Sequence, residues 1–259
     1  MSLPPRIRTA VIPAAGQGTR MLPATKAVPK ELLPILERPA LQFIVDEALG
    51  AGVDHLVIVT SRSKPAIEQY FAASPEVEES LVKQGRGVLA EQLRRYGNDV
   101  RISFAYQDAP RGLGHAVACA RDFVGSEPFF VMLPDELMQD SRLLIDLATL
   151  TQKTGIGAIA LKQMPKDELF RYGIVTPRGE LQTSEGVEFL PVAEVVEKPR
   201  NDEAPSDLAI IGRYALTPDI FDILDSLAPG GNGEIQLTDA LTIQTEQAPL
   251  HGVISTIGR

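Results

Sequence analysis

"VIPAAGQGTRMLPATKAVPKELLP" (Val11–Pro34) opens as a buried strand, turns on two glycines and then declines to become a helix. Val11 and Ile12 suit a strand covered on both faces, and Gly16 and Gly18 let the backbone turn sharply and approach a ligand closely. A dinucleotide-binding fold would wind its first helix here, but Met21 stands where the third glycine of that fingerprint belongs. Pro23 and Pro29 also lack amide donors and push the residues before them out of helical geometry. The segment is expected to be an open, extended lid bearing Arg20, Lys26 and Lys30, cations suited to a polyphosphate. Gly-x-Gly alone is a weak signal, since tight turns use it too.

Outward from this stretch, short apolar runs alternate with amphipathic ones. Strands are predicted at 9–15, 55–60, 100–106, 129–133 and 155–161, with helical patterns at 41–49, 64–72, 76–95, 114–122 and 140–152. This order predicts an α/β fold, a Rossmann-like mixed, mainly parallel sheet with helices on both faces. After about residue 163 the strands shorten (173–176, 192–197, 208–214) and polar turns separate them, as in a smaller β-rich lobe. Helices at 218–227 and 234–243 are expected to close the chain. The reading is one domain over 1–259, with a part at 1–162 and a second at 163–259.

Composition narrows the class. The 259 residues carry 34 acidic against 25 basic side chains, a formal charge of -9. General affinity for nucleic acid or an anionic membrane is therefore excluded, since both require a basic face. Cys119 is the sole cysteine, so an internal disulfide and a cysteine-rich metal cage are out. No apolar run approaches the ~18 residues of a membrane span, and "MSLPPRIRTA" lacks the apolar core of a signal peptide. A cytoplasmic location is expected.

Several residues stand where chemistry is done. Asp135 follows the apolar strand "FFVML" and so lies at a sheet edge, where a carboxylate either caps the next segment or binds a ligand. Gln107 and Gly112 follow the strand ending at Tyr106; a side-chain amide suits a base edge, and a glycine offers its backbone at close range. Glu197 and Lys198 are adjacent at a strand end, so regular pleating would point them to opposite faces. His115 carries no metal or general-base role on its spacing, Cys119 reads as core, and Glu234 and Asp239 suit packing as well as chemistry.

Taken together, Gly16, Gly18, Thr19, Arg20, Pro23, Thr25, Lys30 and Pro34, with "GLGHA", "LPDE", "YGIV", "VEKP" and "GEIQLTDAL" later in the chain, closely resemble the sugar-1-phosphate nucleotidylyltransferases, most of all their uridylyl-transferring branch. The thymidylyl branch usually has Gln where Glu31 stands. The resemblance implies transfer of a uridylyl group from UTP to glucose 1-phosphate, with Mg²⁺ as cofactor and a homodimer or homotetramer as the assembly. It also implies roles. Arg20, Lys30 and Lys198 would be catalytic, and Ala14, Ala15, Gly16, Gly18, Thr19, Glu31, Gln107 and Gly112 would hold the nucleotide. Gly173 and Glu197 would hold the sugar, and Asp135 the metal. A second metal-binding Asp is implied beyond the last residue, as none follows Asp239. The competing readings are transfer from dTTP or to another sugar phosphate, a catalytically weak regulatory paralogue, and a dehydrogenase, which Met21 and the prolines oppose.

Overall fold

Along the first strand, Ala10 and Ile12 enter one buried cluster while Val11 between them enters another. The same alternation recurs at Leu56 and Ile58 against Val57 and Val59, and at Phe130 and Met132 against Phe129 and Val131. Strands that are apolar on both faces require cover on both, which is why helices sandwich the sheet.

The computed structural model describes residues 7–96, 100–200, 202–230 and 233–255. Its elements run β1 (Thr9–Pro13), β2 (Pro34–Ile35), β3 (Arg38–Pro39), α1 (Ala40–Gly50), β4 (His55–Thr60), α2 (Pro65–Phe71), α3 (Pro75–Lys83) and α4 (Gly87–Arg94). Next come β5 (Arg101–Tyr106), α5 (Leu113–Ala118), α6 (Arg121–Val124), β6 (Phe129–Met132), α7 (Arg142–Thr154) and β7 (Ala158–Gln163). The last part holds β8 (Gly173–Pro177), β9 (Gln182–Ser184), β10 (Val187–Glu197), β11 (Leu208–Leu216), α8 (Ile220–Ser226), α9 (Leu237–Gln247) and β12 (Leu250–Ile254).

The main sheet is ordered β5-β4-β1-β6-β11-β7-β12-β10-β8, and β9 pairs with β10. β1, β4, β5 and β6 are mutually parallel, so their carboxyl ends open on one edge. β11 is antiparallel to both β6 and β7 and buried along its whole length. β8 pairs with β10 and also touches β11 at Ala209–Ile174, bringing the late strands round beside the carboxyl end of β6. Among the described residues, no helix is long and apolar enough to cross a membrane.

Four expectations need correction. The pattern at 76–95 is two helices, α3 and α4, because Gly85 takes φ 75° between them, a left-handed turn that ends α3. The pattern at 114–122 likewise divides into α5 and α6. The helix expected at 234–243, found as α9, does not close the chain: β12 follows it and inserts between β7 and β10, and His251 and Gly252 in its middle mask the apolar alternation. The basic segment is not extended either. It folds into three single 3₁₀ turns, Thr19–Met21, Ala24–Lys26 and Lys30–Leu32, short enough for the prolines to sit between them.

Candidate active site

Loops leaving the carboxyl ends of β1, β4, β5 and β6 meet above the sheet, as binding loops do in open α/β folds. Two cavities lie there. The smaller, about 470 Å³, is lined by Ala15, Thr25, Lys26, Lys64 and Gln107 among others. The larger, about 830 Å³, brings together Arg20, Asp135, Gly173, Glu197 and Lys198. The turn from Gly16 through Gly18 and Thr19 to Arg20 spans from one to the other.

The smaller cavity is built around a partly buried cation that the sequence reading missed. Lys64 donates to the Ala14 carbonyl at 2.7 Å and to the two Glu31 oxygens at 3.2 and 3.0 Å. It thereby ties the end of β1 and the basic segment to the loop after β4. Burial pushes the Lys64 ammonium below its usual range, against the pull of Glu31. Glu31 itself is 2% exposed and its carboxylate is bound within this wall. A lysine four residues past the end of a strand, in "SRSKPA", was the available signal. Thr25 donates to the Gly18 carbonyl at 2.8 Å, folding the basic segment back onto the glycine turn.

Gln107 is buried, and its amide nitrogen contacts the Gly112 carbonyl at 3.0 Å and His115 Nδ1 at 2.9 Å. Burial first, and then Arg111, hold His115 below the usual imidazole range, so the neutral ring can accept from that amide. Gly112 has φ 93°, and a Cβ there would lie 2.5 Å from the Ile235 carbonyl. No other residue fits where "RGLGHA" packs on "GEIQL", and backbone bonds Gly114 N to Ile235 O and Ile235 N to Arg111 O, both 2.8 Å, lock the two together. Cys119 packs beside the same helix, with Sγ 3.7 Å from His115 Nδ1.

In the larger cavity the adjacent Glu197 and Lys198 both point inward. Lys198 adopts φ 45°, left-handed and uncommon for a side chain of this size, and this turn overrides the alternation of β10. Its backbone amide donates to the Tyr172 carbonyl at 3.0 Å, and its ammonium lies 2.6 Å from Glu197. Gly173 forms the floor: a Cβ there would stand 3.0 Å from Thr238 and 3.5 Å from Glu197. Tyr214, whose phenol is raised by burial and by the Glu197 and Glu136 carboxylates, lines the same wall. Arg171, Tyr214 and Thr238 were not singled out from sequence.

Asp135 stands at the end of β6, its side chain 59% exposed, with Lys30 reaching it from the basic segment at 3.0 Å. Arg20 faces the same cavity, and among the described residues it engages no carboxylate. No group of three or more His, Cys, Asp or Glu converges among the described residues. Asp135 offers a hard carboxylate donor on an open face, with Glu136 and Glu197 on the same cavity. That donor set fits magnesium, which takes one or two carboxylates and completes its shell with phosphate oxygens and water.

A strand-end edge with a basic, glycine-turned segment on one side and a carboxylate on the other marks a site for phosphorylated ligands. The nucleotidyl transferase family pattern matches residues 9–256, and the chain belongs to that family. Among its relatives are proteins named UTP–glucose-1-phosphate uridylyltransferase. That of Bacillus subtilis (strain 168) is 48% identical over 237 residues, 91% of this chain and 80% of the relative. That of Streptococcus pneumoniae serotype 4 is 48% identical over 241 residues, 91% and 79% of the two chains. Similar solved structures include a UDP-glucose pyrophosphorylase complexed with UDP-glucose, with a TM-score of 0.84 at 37% identity over 98% of this chain and 92% of that one. A UTP-bound UGPase from Acinetobacter baumannii matches with a TM-score of 0.86 at 34% identity, covering 97% and 87%.

Proposed function

We propose that this nucleotidyltransferase moves a uridylyl group from UTP to glucose 1-phosphate, giving UDP-glucose and pyrophosphate. The observation that carries the reading is the meeting of Arg20, Asp135, Gly173, Glu197 and Lys198 on one cavity, with Lys30 bound to Asp135 at its rim. The names of the relatives support the same reaction.

A phosphate oxygen of glucose 1-phosphate attacks the α-phosphorus of UTP, a new P–O bond forms, and the bond to the β-phosphate oxygen breaks as pyrophosphate leaves. The nucleophile is already an anion, so no protein nucleophile or general base is needed. The barrier lies in aligning two polyanions and spreading charge over the transferring group. Arg20 and Lys30 neutralise the triphosphate and the departing pyrophosphate, and Lys198 orients the acceptor phosphate. Ala14, Ala15, Gly16, Gly18 and Thr19 line the path of the nucleotide, and Gln107 meets the base with Gly112 behind it. Glu31 acts at one remove, through Lys64. Glu197 accepts from sugar hydroxyls over the floor at Gly173. Residues 1–162 thus serve the nucleotide and 163–259 the sugar phosphate. Magnesium held by Asp135 would supply Lewis-acid charge and a template for the phosphates.

The test is pyrophosphate release by the purified chain with UTP, glucose 1-phosphate and Mg²⁺, run beside dTTP and other hexose 1-phosphates. UTP with glucose 1-phosphate is expected to give the highest kcat/KM. Faster turnover with another pair would replace the substrates, and nucleotide binding without any pyrophosphate would replace the enzyme with a regulatory binder.

A further inference from the structure

We propose that Arg213 is a positioning residue that fixes the turn carrying Asp135; the inference rests on the transfer reaction above. Arg213 lies on β11, away from the cavity, and is wholly buried. A guanidinium has five N–H donors. Here each has an acceptor. Nε donates to Glu47 Oε1 at 2.9 Å, and Nη2 to Glu47 Oε2 at 2.7 Å and to the Glu136 carbonyl at 2.6 Å. Nη1 donates to the Leu133 carbonyl at 3.0 Å and to that of Gly212 at 3.1 Å.

Leu133 and Glu136 bracket Pro134 and Asp135, so one charged group grips the backbone on both sides of the acid. The sheet makes room for this. β11 slips its register against β7 between Ile210 and Tyr214, and within the slip Gly212 takes φ 69°, where a Cβ would come within 3.0 Å of Leu133 and 3.1 Å of Glu136. Gly212 O also accepts from Leu133 N at 2.9 Å. Glu47, on α1, holds the guanidinium from behind, and Ser141 in turn donates to the Glu47 carbonyl at 2.8 Å. The resulting chain of contacts runs from α1 through β11 to the residue that faces the phosphates. Asp135 is exposed and its carboxylate meets Lys30 from the basic segment, so the backbone position from which it reaches out is set by this turn. Groups that orient a metal-holding carboxylate without touching the metal typically matter by 10- to 100-fold in affinity or rate.

Arg213→Lys keeps a positive charge against Glu47 but has three donors radiating from one point, too few for the five acceptors. It is expected to lower kcat roughly 10- to 100-fold and to raise half-saturating Mn²⁺, read from the electron paramagnetic resonance of free Mn²⁺ in the presence of UTP, about tenfold. UTP binding in EDTA should not change. Glu47→Gln leaves the three carbonyl bonds of Arg213 in place, and is expected to lower Tm while Mn²⁺ half-saturation stays at the wild-type value. An Arg213 that served stability alone would lower Tm in both variants and move Mn²⁺ binding in neither, and that result overturns the proposal. Should Arg213→Lys fail to fold, the Glu47→Leu/Arg213→Met pair, which replaces the buried ions with apolar side chains, takes its place; wild-type Mn²⁺ binding there overturns it equally. A wild-type chain that binds Mn²⁺ with UTP yet releases no pyrophosphate would sink the transfer reaction alone, since the Mn²⁺ titration still reads the positioning role.

Discussion

Asp135→Asn is expected to reduce the rate of pyrophosphate release by about 10³-fold while leaving the fold intact, as losing a group that stabilises transferring charge costs on the order of 10²- to 10³-fold. The amide is nearly isosteric but has no charge, so it holds a divalent cation far more weakly and meets Lys30 only through a neutral acceptor. The folded state should hardly notice. Asp135 and Lys30 are respectively 59% and 24% exposed, and an ion pair with this much solvent contributes about 0–1 kcal/mol. Steady-state kinetics beside a thermal melt separate the two. A variant with wild-type kcat removes Asp135 from the chemistry, and one that loses activity only because it melts early removes the argument from charge.

Lys198→Ala is expected to divide differently. Its ammonium faces the cavity beside Glu197 and Gly173, remote in the chain from the nucleotide residues, so UTP affinity measured by calorimetry should be preserved. The KM for glucose 1-phosphate should rise and kcat fall, together lowering kcat/KM on the order of 10²- to 10³-fold, since one cation is lost at the point where two anions are brought together. A secondary effect follows from the backbone. Position 198 holds φ 45°, and alanine there keeps the strain while losing the Glu197 contact that accompanies it, so Lys198→Asn, tolerant of left-handed geometry, serves as the control. Equal losses in both variants assign the effect to charge. Recovery in Lys198→Asn assigns it to the turn.

These two residues also mark how far the sequence could be read. The sheet was legible because β1, β4 and β6 carry unbroken apolar runs, at 10–12, 56–59 and 129–132, a pattern that a doubly covered strand sustains. Asp135 was legible because it follows such a strand after only Leu133 and Pro134. Lys198 was legible as a residue but not as a direction: pleating points it away from Glu197, and only the left-handed turn at its own Cα brings it round. Lys64 and Arg213 were missed for a common reason. Each is a cation removed from solvent by a partner far along the chain, Glu31 and Glu47 lying 33 and 166 residues away, and the residues around each name neither partner. The break between α3 and α4 was visible at Gly85, but apolar residues recurring on either side of it imitate a single helix. β12 was hidden by its own composition, since its place in the sheet is fixed by β7 and β10 rather than by a strong strand pattern.

The claim beneath all of this is that cations from two distant parts of the chain and one carboxylate serve a single cleft that takes both substrates. A crystal structure of the chain with UDP-glucose tests it most directly. The account predicts the hexose over Gly173 against Glu197, the diphosphate between Arg20 and Lys198 within reach of Asp135, and the uracil beside Ala15 and Gln107. A product molecule bound elsewhere, or bound here with Arg20, Asp135 and Lys198 turned away from its phosphates, would contradict it.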